Sequence, residues 1–327
     1  DVTDGHLYIN HTIQSGVSAI LVEQIPSQIN ESVTYIKVND SQHALAIIAS
    51  NFYNNPSSNI KLVGVTGTNG KTTVVTLLHQ LFSLLGIKSG MLSTIKNQIL
   101  NRTIESTHTT PDPLQINALL RSMIDNGCEY CFMEVSSHSI VQSRISGLEF
   151  SAAVFTNLTQ DHLDYHKTFA EYRDVKQSFF SSLSDFAFAI TNKDDKNGLK
   201  MLERTKARKL SYSLKSNSDY KCKVLENHFR GMLLNINNID VWVNLVGSFN
   251  ASNILAVYAV AYEFGFENHK ILTALSVLKN VEGRFECILS NRNIIGIVDY
   301  AHTDDALENI LSSIKKIRPN VRLITCN

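Results

Sequence analysis

The sequence lacks a long apolar run, an excess of either charge and a regular set of cysteines. Its 327 residues include 30 basic and 30 acidic side chains, so nothing indicates a polyanion-binding surface, and nucleic acid is a poor candidate partner. No stretch reaches the ~18 apolar residues of a membrane span, and the N-terminus has no basic region followed by an apolar one. We therefore expect neither a membrane span nor a signal peptide.

The five cysteines are odd in number and scattered along the chain, which favours reduced thiols over a disulfide framework. Cys128 and Cys131 have the spacing of a redox pair. Because Cys131 falls within an apolar run, the sequence favours two packed thiols instead. Together these features predict a globular, cytoplasmic protein, which we expect to be a monomer.

The order of apolar and polar segments predicts an α/β protein of three units. We predict a partial N-terminal domain at 1–59, a central domain at 60–281 and the beginning of a C-terminal domain at 282–327. In the central domain, alternating strands and helices favour a mostly parallel sheet covered by helices on both faces. Turn-forming residues at 54–59 predict a linker before it.

The C-terminal unit is predicted to start as a Rossmann-like strand, helix and strand. The strand is expected at 294–298, the helix at 304–317 and the next strand at 321–325. So short a unit would expose more apolar surface than it buries, which predicts a domain that is cut short. Earlier in the chain, alternation at 220–246 predicts antiparallel hairpins, and Ser248 is predicted to cap the helix that follows.

Residues 64–73, with the sequence GVTGTNGKTT, are the strongest functional signal. They lie between an apolar run at 60–65 and a segment whose apolar residues recur at helical spacing, which predicts a strand, a loop and a helix. Gly67 and Gly70 would let backbone N–H groups turn toward an anion, and the helix N-terminus would add partial positive charge. This junction therefore indicates phosphate binding.

Two side chains at the start of that helix suit a nucleoside triphosphate. Lys71 would reach the outer phosphates, and Thr72 would offer its hydroxyl to the accompanying magnesium ion. The general pattern of such loops wants a glycine at position 65, where this chain has Val65. Taken alone, the motif therefore fits imperfectly.

Glu134 is a carboxylate within an apolar run at 130–135. Because burying an unpaired carboxylate is costly, it must be exposed at the strand end, paired or bound to a metal. Its place suits a magnesium ligand, and a salt-bridged structural carboxylate is the alternative. Lys176, on a helix predicted at 171–183, is by itself typical of an exposed lysine.

Acidic and imidazole side chains follow two further apolar runs. After 152–155 they could form a transition-metal site or only a solvated loop, and the nucleotide loop favours His162 or its neighbours facing the same magnesium ion as Glu134. These residues are Asp161, His162, Asp164 and His166. Asp194 and Asp195, after 187–190, are typical of a polar loop.

With these pieces in view, the chain resembles the Mur ligases, the ATP-dependent amide-forming enzymes of peptidoglycan synthesis. The order of its motifs is similar to the MurE-type branch, which adds the third amino acid of the stem peptide. The motifs are TGTNGKTT at 66–73, THTTPDP at 107–113, MEVSSHS at 133–139, TNLTQDHLDYH at 156–166, EGRFE at 282–286 and VDYAHTDDALE at 298–308. The family's form of the loop accounts for Val65, and the first residues resemble its uridine-binding domain.

The resemblance implies roles for particular residues. Those implied to bind ATP are Gly67, Thr68, Asn69, Gly70, Lys71, Thr72, Thr73, Asn250, Asn253, Arg284 and Asp299. Those implied to hold the nucleotide-sugar peptide are His108, Thr109, Thr110, Ser136, Gln142 and Arg144. Those implied near magnesium are Thr72, Glu134, His162 and Lys176, with Lys176 as a carbamate that binds a second ion. Lys71, Glu134, His162 and Lys176 are the implied catalytic set.

The implied reaction joins two small-molecule substrates. ATP phosphorylates the terminal carboxylate of UDP-N-acetylmuramoyl-L-alanyl-D-glutamate, and the amine of meso-diaminopimelate or L-lysine then displaces phosphate. Asp304 stands where the family usually has proline, and the chain ends before the motif that selects the amino acid. That choice stays open, and we expect weak nucleotide binding by this stretch alone. The alternatives are a sister ligase, a P-loop switch or motor, or a non-catalytic nucleotide-binding remnant.

Overall fold

The computed structural model describes residues 4–161, 165–290, 294–320 and 322–325. Strands and helices alternate through most of the chain. The strands are β1 (Ala19–Val22), β2 (Thr34–Lys37), β3 (Lys61–Thr66), β4 (Ser89–Leu92), β5 (Lys96–Ile99), β6 (Arg102–Glu105), β7 (Tyr130–Glu134), β8 (Ala152–Phe155), β9 (Phe188–Asn192), β10 (Arg208–Ser213), β11 (Tyr220–His228), β12 (Gly231–Ile236), β13 (Ile239–Val243), β14 (Glu286–Leu289) and β15 (Ile295–Val298).

The helices cover both faces of the large sheet or flank the smaller ones. They are α1 (Ile9–Gln14), α2 (Ser41–Phe52), α3 (Lys71–Leu84), α4 (Pro113–Asp125), α5 (Ser137–Val141), α6 (Phe169–Ser181), α7 (Gly198–Met201), α8 (Ser248–Glu263), α9 (Asn268–Ser276) and α10 (Asp304–Ile317). Among the described residues, no helix is long and apolar enough to cross a membrane.

The large sheet has the strand order β13-β12-β11-β10-β9-β8-β3-β7-β4-β5-β6. Its middle, from β11 across to β4, is parallel, and both ends continue as antiparallel strands. Every residue of β7 and β8 is buried, as expected of parallel strands covered on both faces. The predicted α/β fold with a mostly parallel central sheet is confirmed.

Each face of this sheet carries its own apolar core. On one face α3, α8 and α9 pack against it, and Phe82 of α3 contacts the rings of Tyr130 and Phe132 on β7. On the other face α4 and α6 pack, with Phe179 and Phe180 buried. Helix α8 is apolar all round because it lies inside the first core, covered by α3 and α9.

Strand β3 lies between β7 and β8, so its end is the centre of the sheet edge. Val65 is fully buried and aligned with both Glu134 and Val154. Position 65 is therefore a strand residue that a valine suits, and the turn begins only after it. Parallel strands bring the residues that follow β3, β7 and β8 to one edge, where ligands bind in open α/β sheets.

The N-terminal unit is a pair of parallel strands, β1 and β2, with helix α2. Glu23 accepts hydrogen bonds from the backbone N–H and hydroxyl of Ser41, and Asp40 caps α2. The segment predicted as a linker is packed: a 3-10 turn covers Pro56–Asn59, and Ser57 Oγ accepts from Glu149 N at 3.0 Å. The three domain boundaries stay a prediction.

Three details of the predicted elements differ from the structure. Helix α8 begins at Ser248, and Gly247 with a φ of 94° occupies the cap position, so the predicted Ser248 cap is wrong.

Residues 322–325 form no strand; they have no neighbouring strand to pair with among the described residues, and Ile324 is 77% exposed. Instead β14 pairs antiparallel with β15. Strands β4 to β6, which are short and partly polar, were not anticipated.

We expect Gly64→Ala to destabilise the fold. A Cβ at Gly64 would lie 2.5 Å from Phe179 Cζ and 2.8 Å from Phe150 Cε1, so two packed rings would have to shift, at a cost of about 1–3 kcal/mol. Gly296→Ala is the matched control, since its Cβ would lie 3.7 Å from Ile288 Cβ. Urea denaturation of both variants checks this, and equal changes would contradict it.

Candidate active site at the end of strand β3

The loop between β3 and α3 is tightly packed against residues 156–157, which follow β8. A Cβ at Gly67 would lie 1.9 Å from Thr156 Oγ1, and one at Gly70 would lie 2.7 Å from Asn253 Oδ1. Both glycines also have positive φ, 153° and 87°. A side chain at either position would therefore meet both a close neighbour and an unfavourable backbone conformation, so glycine is favoured at both.

Polar residues after β8 hold the loop in place. Asn157 accepts from Asn69 N at 2.9 Å and donates to Asn69 O at 3.0 Å, and Thr156 Oγ1 donates to the same carbonyl at 2.6 Å. Thr68 Oγ1 accepts from Thr159 N at 3.0 Å. The sequence did not predict that Thr156, Asn157 and Thr159 would hold the loop in place. Their position after a parallel strand was the sequence feature that could have identified them.

Lys71 is the first residue of α3, and its amine folds back onto the loop. Nζ donates to Gly67 O at 3.0 Å and to Thr68 O at 2.8 Å. Burial lowers the pKa of Lys71, and the nearby carboxylates of Glu134 and Asp161 oppose this. The amine thus lies at the loop where outer phosphates are expected.

Glu134 ends β7 and is fully buried. Its Oε1 accepts from Thr94 N at 2.8 Å and its Oε2 accepts from Thr94 Oγ1 at 3.1 Å. No ion pair to Glu134 is found among the described residues. Two neutral donors therefore orient the carboxylate while leaving acceptor sites for a cation. Thr94, which follows β4, had no recognisable sequence signal.

The oxygen donors present suit a magnesium ion. Thr72, at the start of α3, supplies a hydroxyl and Glu134 a carboxylate, the hard ligands that this ion prefers. Within the described ranges, no group of three or more His, Cys, Asp or Glu residues is placed to hold a metal. His162 and Asp164 lie outside the described residues, so their predicted part in this site is untested.

Lys176 is buried, with 1% of its surface exposed, so the reading of it as an ordinary exposed lysine is wrong. Its Nζ donates to Gly67 O at 3.1 Å and to Thr66 Oγ1 at 3.4 Å, and it lies 4.7 Å from the centre of the Tyr172 ring. Burial lowers the pKa of Lys176 well below its ordinary value, the Lys71 ammonium lowers it further, and Asp161 opposes both.

A sequence signal for this burial exists in α6. Tyr172, Lys176, Phe179 and Phe180 are spaced by four, three and one residues and are all buried on the face toward the sheet. That spacing is typical of one helix face. Lysine at this apolar face places an amine with a lowered pKa beside the phosphate loop.

The predicted nucleotide-sugar residues form a connected network next to Glu134. Arg144 donates to Gln142 Oε1 at 2.9 Å and to Thr110 O at 2.8 Å. Thr110 Oγ1 donates to Glu134 O at 2.9 Å and accepts from Ser136 N at 3.1 Å. Thr109 Oγ1 lies 3.1 Å from Thr94 Oγ1, within hydrogen-bonding distance. His108 is exposed and contacts Thr107, so it lies at the margin of the network.

A cavity of about 650 Å³ extends from the phosphate loop toward α10. One wall contains residues of the loop and of α8, where Asn253 donates to Asn250 Oδ1 at 3.0 Å. The opposite wall contains Arg284 and Asp299. Burial raises the pKa of Asp299, opposed by backbone N–H groups of Phe285 and Ala301 and by Arg284.

Several lining residues were not predicted. Asp194 and Asp195, taken as a polar loop, line the cavity, where Asp194 accepts from Leu214 N at 2.7 Å and Asp195 from Leu158 N at 2.7 Å. Asp305 lines it too and accepts from Asn69 Nδ2 at 3.4 Å. Asp194 and Asp195 lie in a polar turn, as expected, and because this turn follows β9 it is at the ligand edge of the sheet.

Comparison with known proteins agrees with this geometry. A family profile described as Mur ligase middle domain matches residues 65–261. The chain belongs to the Mur ligase family. It is 53% identical over 315 residues to a Phocaeicola vulgatus protein named UDP-N-acetylmuramoyl-L-alanyl-D-glutamate–2,6-diaminopimelate ligase, covering 96% of this chain and 65% of that one. A Clostridium botulinum protein of the same name is 40% identical, with 96% and 66% covered.

Solved structures of Mur ligases share the fold. A UDP-N-acetylmuramoyl-L-alanyl-D-glutamate–2,6-diaminopimelate ligase has a TM-score of 0.81 at 28% identity, covering 94% of this chain and 64% of that chain. A MurF ligase from Thermotoga maritima has a TM-score of 0.67 at 20% identity, covering 95% and 68%. The chain thus spans 65% of the length of the Phocaeicola vulgatus relative. The resemblance to MurE-type Mur ligases is confirmed.

In this Mur ligase chain, Lys176→Met should raise the free energy of unfolding near neutral pH in carbon-dioxide-free buffer. Methionine fills the space without burying an amine whose pKa is lowered from 10.5. Between the lowered pKa of the folded state and 10.5, the unfolded lysine binds more protons than the folded one, so wild-type stability rises with pH in that window, by at most about 1.4 kcal/mol per pH unit. The stability difference between Lys176→Met and wild type should therefore narrow as the pH rises.

Urea denaturation at about pH 7 and about pH 9 measures this difference. Lys223→Met, at an exposed lysine of β11, is the matched control and should show no such narrowing. A Lys176→Met protein less stable than wild type at both pH values would contradict a neutral, destabilising Lys176.

Proposed function

We propose that this Mur ligase joins 2,6-diaminopimelate to UDP-N-acetylmuramoyl-L-alanyl-D-glutamate, using ATP, in peptidoglycan synthesis. The observation that carries the proposal is the convergence of Lys71, Glu134 and Lys176, from three separate elements, on the phosphate loop at one sheet edge. The printed names of the relatives supply the substrate class. L-lysine is the alternative amino acid.

The chemistry requires an activated carboxylate, because a carboxylate is a poor electrophile. The substrate carboxylate oxygen attacks the γ-phosphorus of ATP, the bond to the ADP oxygen breaks, and an acyl phosphate forms. The amine then attacks the acyl carbon, the carbon–oxygen bond to phosphate breaks, and a proton leaves the nitrogen. The protein's tasks are positioning and charge neutralisation, as in other phosphoryl transfers.

The loop and Lys71 would bind the ATP phosphates. The Lys71 amine, which now donates to carbonyls of Gly67 and Thr68, would exchange these bonds for phosphate oxygens, which are better acceptors for a cation. Thr72 and Glu134, with the predicted His162, would hold magnesium. When bound, magnesium neutralises negative charge on the phosphates.

Lys176 would act after modification by carbon dioxide. The neutral amine attacks the carbon, a nitrogen–carbon bond forms, and a proton leaves, so that a carbamate replaces the amine. A low pKa favours this step because only the neutral amine is a nucleophile. The resulting anionic oxygens would suit a second magnesium ion beside the phosphates.

The network around Thr110, Ser136 and Arg144 would bind the nucleotide-sugar peptide. Its donors and acceptors are connected to the Glu134 backbone, so substrate bound there would lie next to the proposed magnesium site. An arginine suits carboxylate or pyrophosphate because its planar fork binds two oxygens at once. Location in the cytoplasm, a monomeric state and the absence of nucleic-acid and membrane partners stay predictions from the sequence.

Amino-acid-dependent release of ADP tests the ligase function. The intact protein is incubated with ATP, magnesium, UDP-N-acetylmuramoyl-L-alanyl-D-glutamate and one amino acid at a time. We expect release with 2,6-diaminopimelate and formation of the tripeptide product by mass spectrometry. Release only with L-lysine would change the amino acid assigned. No release with either, while ATP still binds, would refute the ligase and favour a non-catalytic nucleotide-binding protein.

Substitution of Lys176 tests the carbamate. Lys176→Ala should lower kcat by at least about 100-fold, and added short carboxylates such as acetate should restore part of it, because they supply the missing oxygens. ¹³C NMR in labelled bicarbonate should show one carbamate signal that is lost in the variant. Lys223→Ala, at an exposed lysine, should retain both activity and signal. Full activity of Lys176→Ala without additives would refute the role.

A further inference from the structure

Two segments of the C-terminal unit meet beside the phosphate loop. Residues 281–285 precede β14, and residues 299–302 follow β15. The backbone joins them, since Tyr300 N donates to Gly283 O at 3.0 Å. Between these segments the side chain of Arg284 lines the cavity described above.

Both carboxylate oxygens of Asp299 accept hydrogen bonds from backbone N–H groups of these two segments. Oδ2 accepts from Phe285 N at 2.7 Å, and Oδ1 accepts from Ala301 N at 2.7 Å. One side chain therefore fixes the backbone directly after Arg284 and, at the same time, the turn that carries Tyr300.

Phe285 needs such support because its backbone is strained. Its φ of 50° is in the left-handed region, which a large non-glycine side chain rarely adopts. The side chain is 1% exposed, and its ring centre lies 5.3 Å from that of Phe249. Packing and the Asp299 bond together hold this conformation, which sets the direction in which Arg284 leaves the chain.

Arg284 is thereby directed at the first turn of α3. Its Nη2 donates to Thr72 Oγ1 at 3.1 Å, and its guanidinium lies 4.8 Å from the centre of the Tyr300 ring. Its Nε is buried and has no hydrogen-bond partner among the described residues. A buried guanidinium N–H without an acceptor, next to a phosphate loop, suits an anionic oxygen.

We propose that Asp299 is a positioning residue: it fixes Phe285 and the Tyr300 turn so that Arg284 can bind the phosphate chain of the nucleotide. This differs from the direct nucleotide contact that the family resemblance implies for Asp299, and it rests on the proposed nucleotide site. Asp299 acts through the backbone and needs no contact with the sugar or the base.

Inorganic tripolyphosphate separates the two roles, because it has the phosphate chain of ATP without sugar or base. Calorimetry of the intact protein with magnesium measures the Kd of ATP and of tripolyphosphate. Asp299→Asn keeps the shape of the side chain but replaces one acceptor oxygen with a donor. We expect both ligands to bind about tenfold more weakly, which corresponds to about 1.4 kcal/mol. Asp304→Asn, an exposed acid of α10, is the matched charge control and should bind like wild type.

Three other results would overturn the proposal. Weaker binding of ATP with unchanged tripolyphosphate would show that Asp299 contacts the nucleoside. Tighter binding of both would show that Asp299 acts only as a negative charge near an anion. A wild-type protein that binds neither ligand would refute the nucleotide site itself, and this role with it.

Two further measurements extend the test, and the second keeps it decisive if Asp299→Asn folds poorly in a thermal melt. In an Arg284→Ala background, Asp299→Asn should weaken tripolyphosphate binding no further, because the residue that it positions is gone. Tyr300→Leu removes the ring under the guanidinium and should weaken both ligands several-fold, whereas Tyr300→Phe keeps the ring and should not. Additive losses in the double variant, or equal binding by the two Tyr300 variants, would refute the arrangement.

Discussion

The carbonyl oxygen of Gly67 accepts hydrogen bonds from two amines, those of Lys71 and Lys176. Burial disfavours both charges and lowers the pKa of each lysine, and the Lys71 ammonium lowers the pKa of Lys176 further. The more deeply buried Lys176 is the one whose pKa is lowered well below its ordinary value. The whole arrangement of the site follows from this constraint, because β3, α3 and α6 must hold two lysines of different chemical character against one peptide group.

Much of this fold could be predicted because its signals are local. Glycines, a lysine and a threonine between a strand and a helix identify the loop, and Glu134 at the end of an apolar strand stands out by its cost of burial. The parallel middle of the sheet followed from alternating elements. Short polar strands such as β5 carry no such signal, so Thr94, which orients Glu134, was not found. Contacts between distant segments, such as Asn157 with Asn69, depend on strand order rather than on local pattern.

In the C-terminal unit, too, elements set by local pattern were predicted and contacts between separate segments were not. The helix at 304–317 was predicted with its observed bounds, because its strongly amphipathic pattern depends only on its own sequence. The hairpin of β14 with β15 depends on which neighbour is available, and a strand expected at 321–325 lacks one among the described residues. Arg284 and Asp299 were identified as residues of the site. The sequence did not suggest that one of them could position the other. That proposal depends on the hydrogen bonds from backbone N–H groups to Asp299 and on the left-handed backbone of Phe285.

Gly64 connects the packing of the core to the geometry of the site because it has no Cβ. It lies in β3, three residues before the loop glycine at 67, and it lets the Phe179 ring approach the strand backbone. Phe179 is one turn along α6 from Lys176, on the same face. The position of Lys176 beside the loop therefore depends on van der Waals contact between a strand and a helix as well as on its hydrogen bond to Gly67 O. Volume changes in this part of the interior would alter the spacing of the reactive groups, so the size of an apolar side chain in the core is transmitted to the polar site.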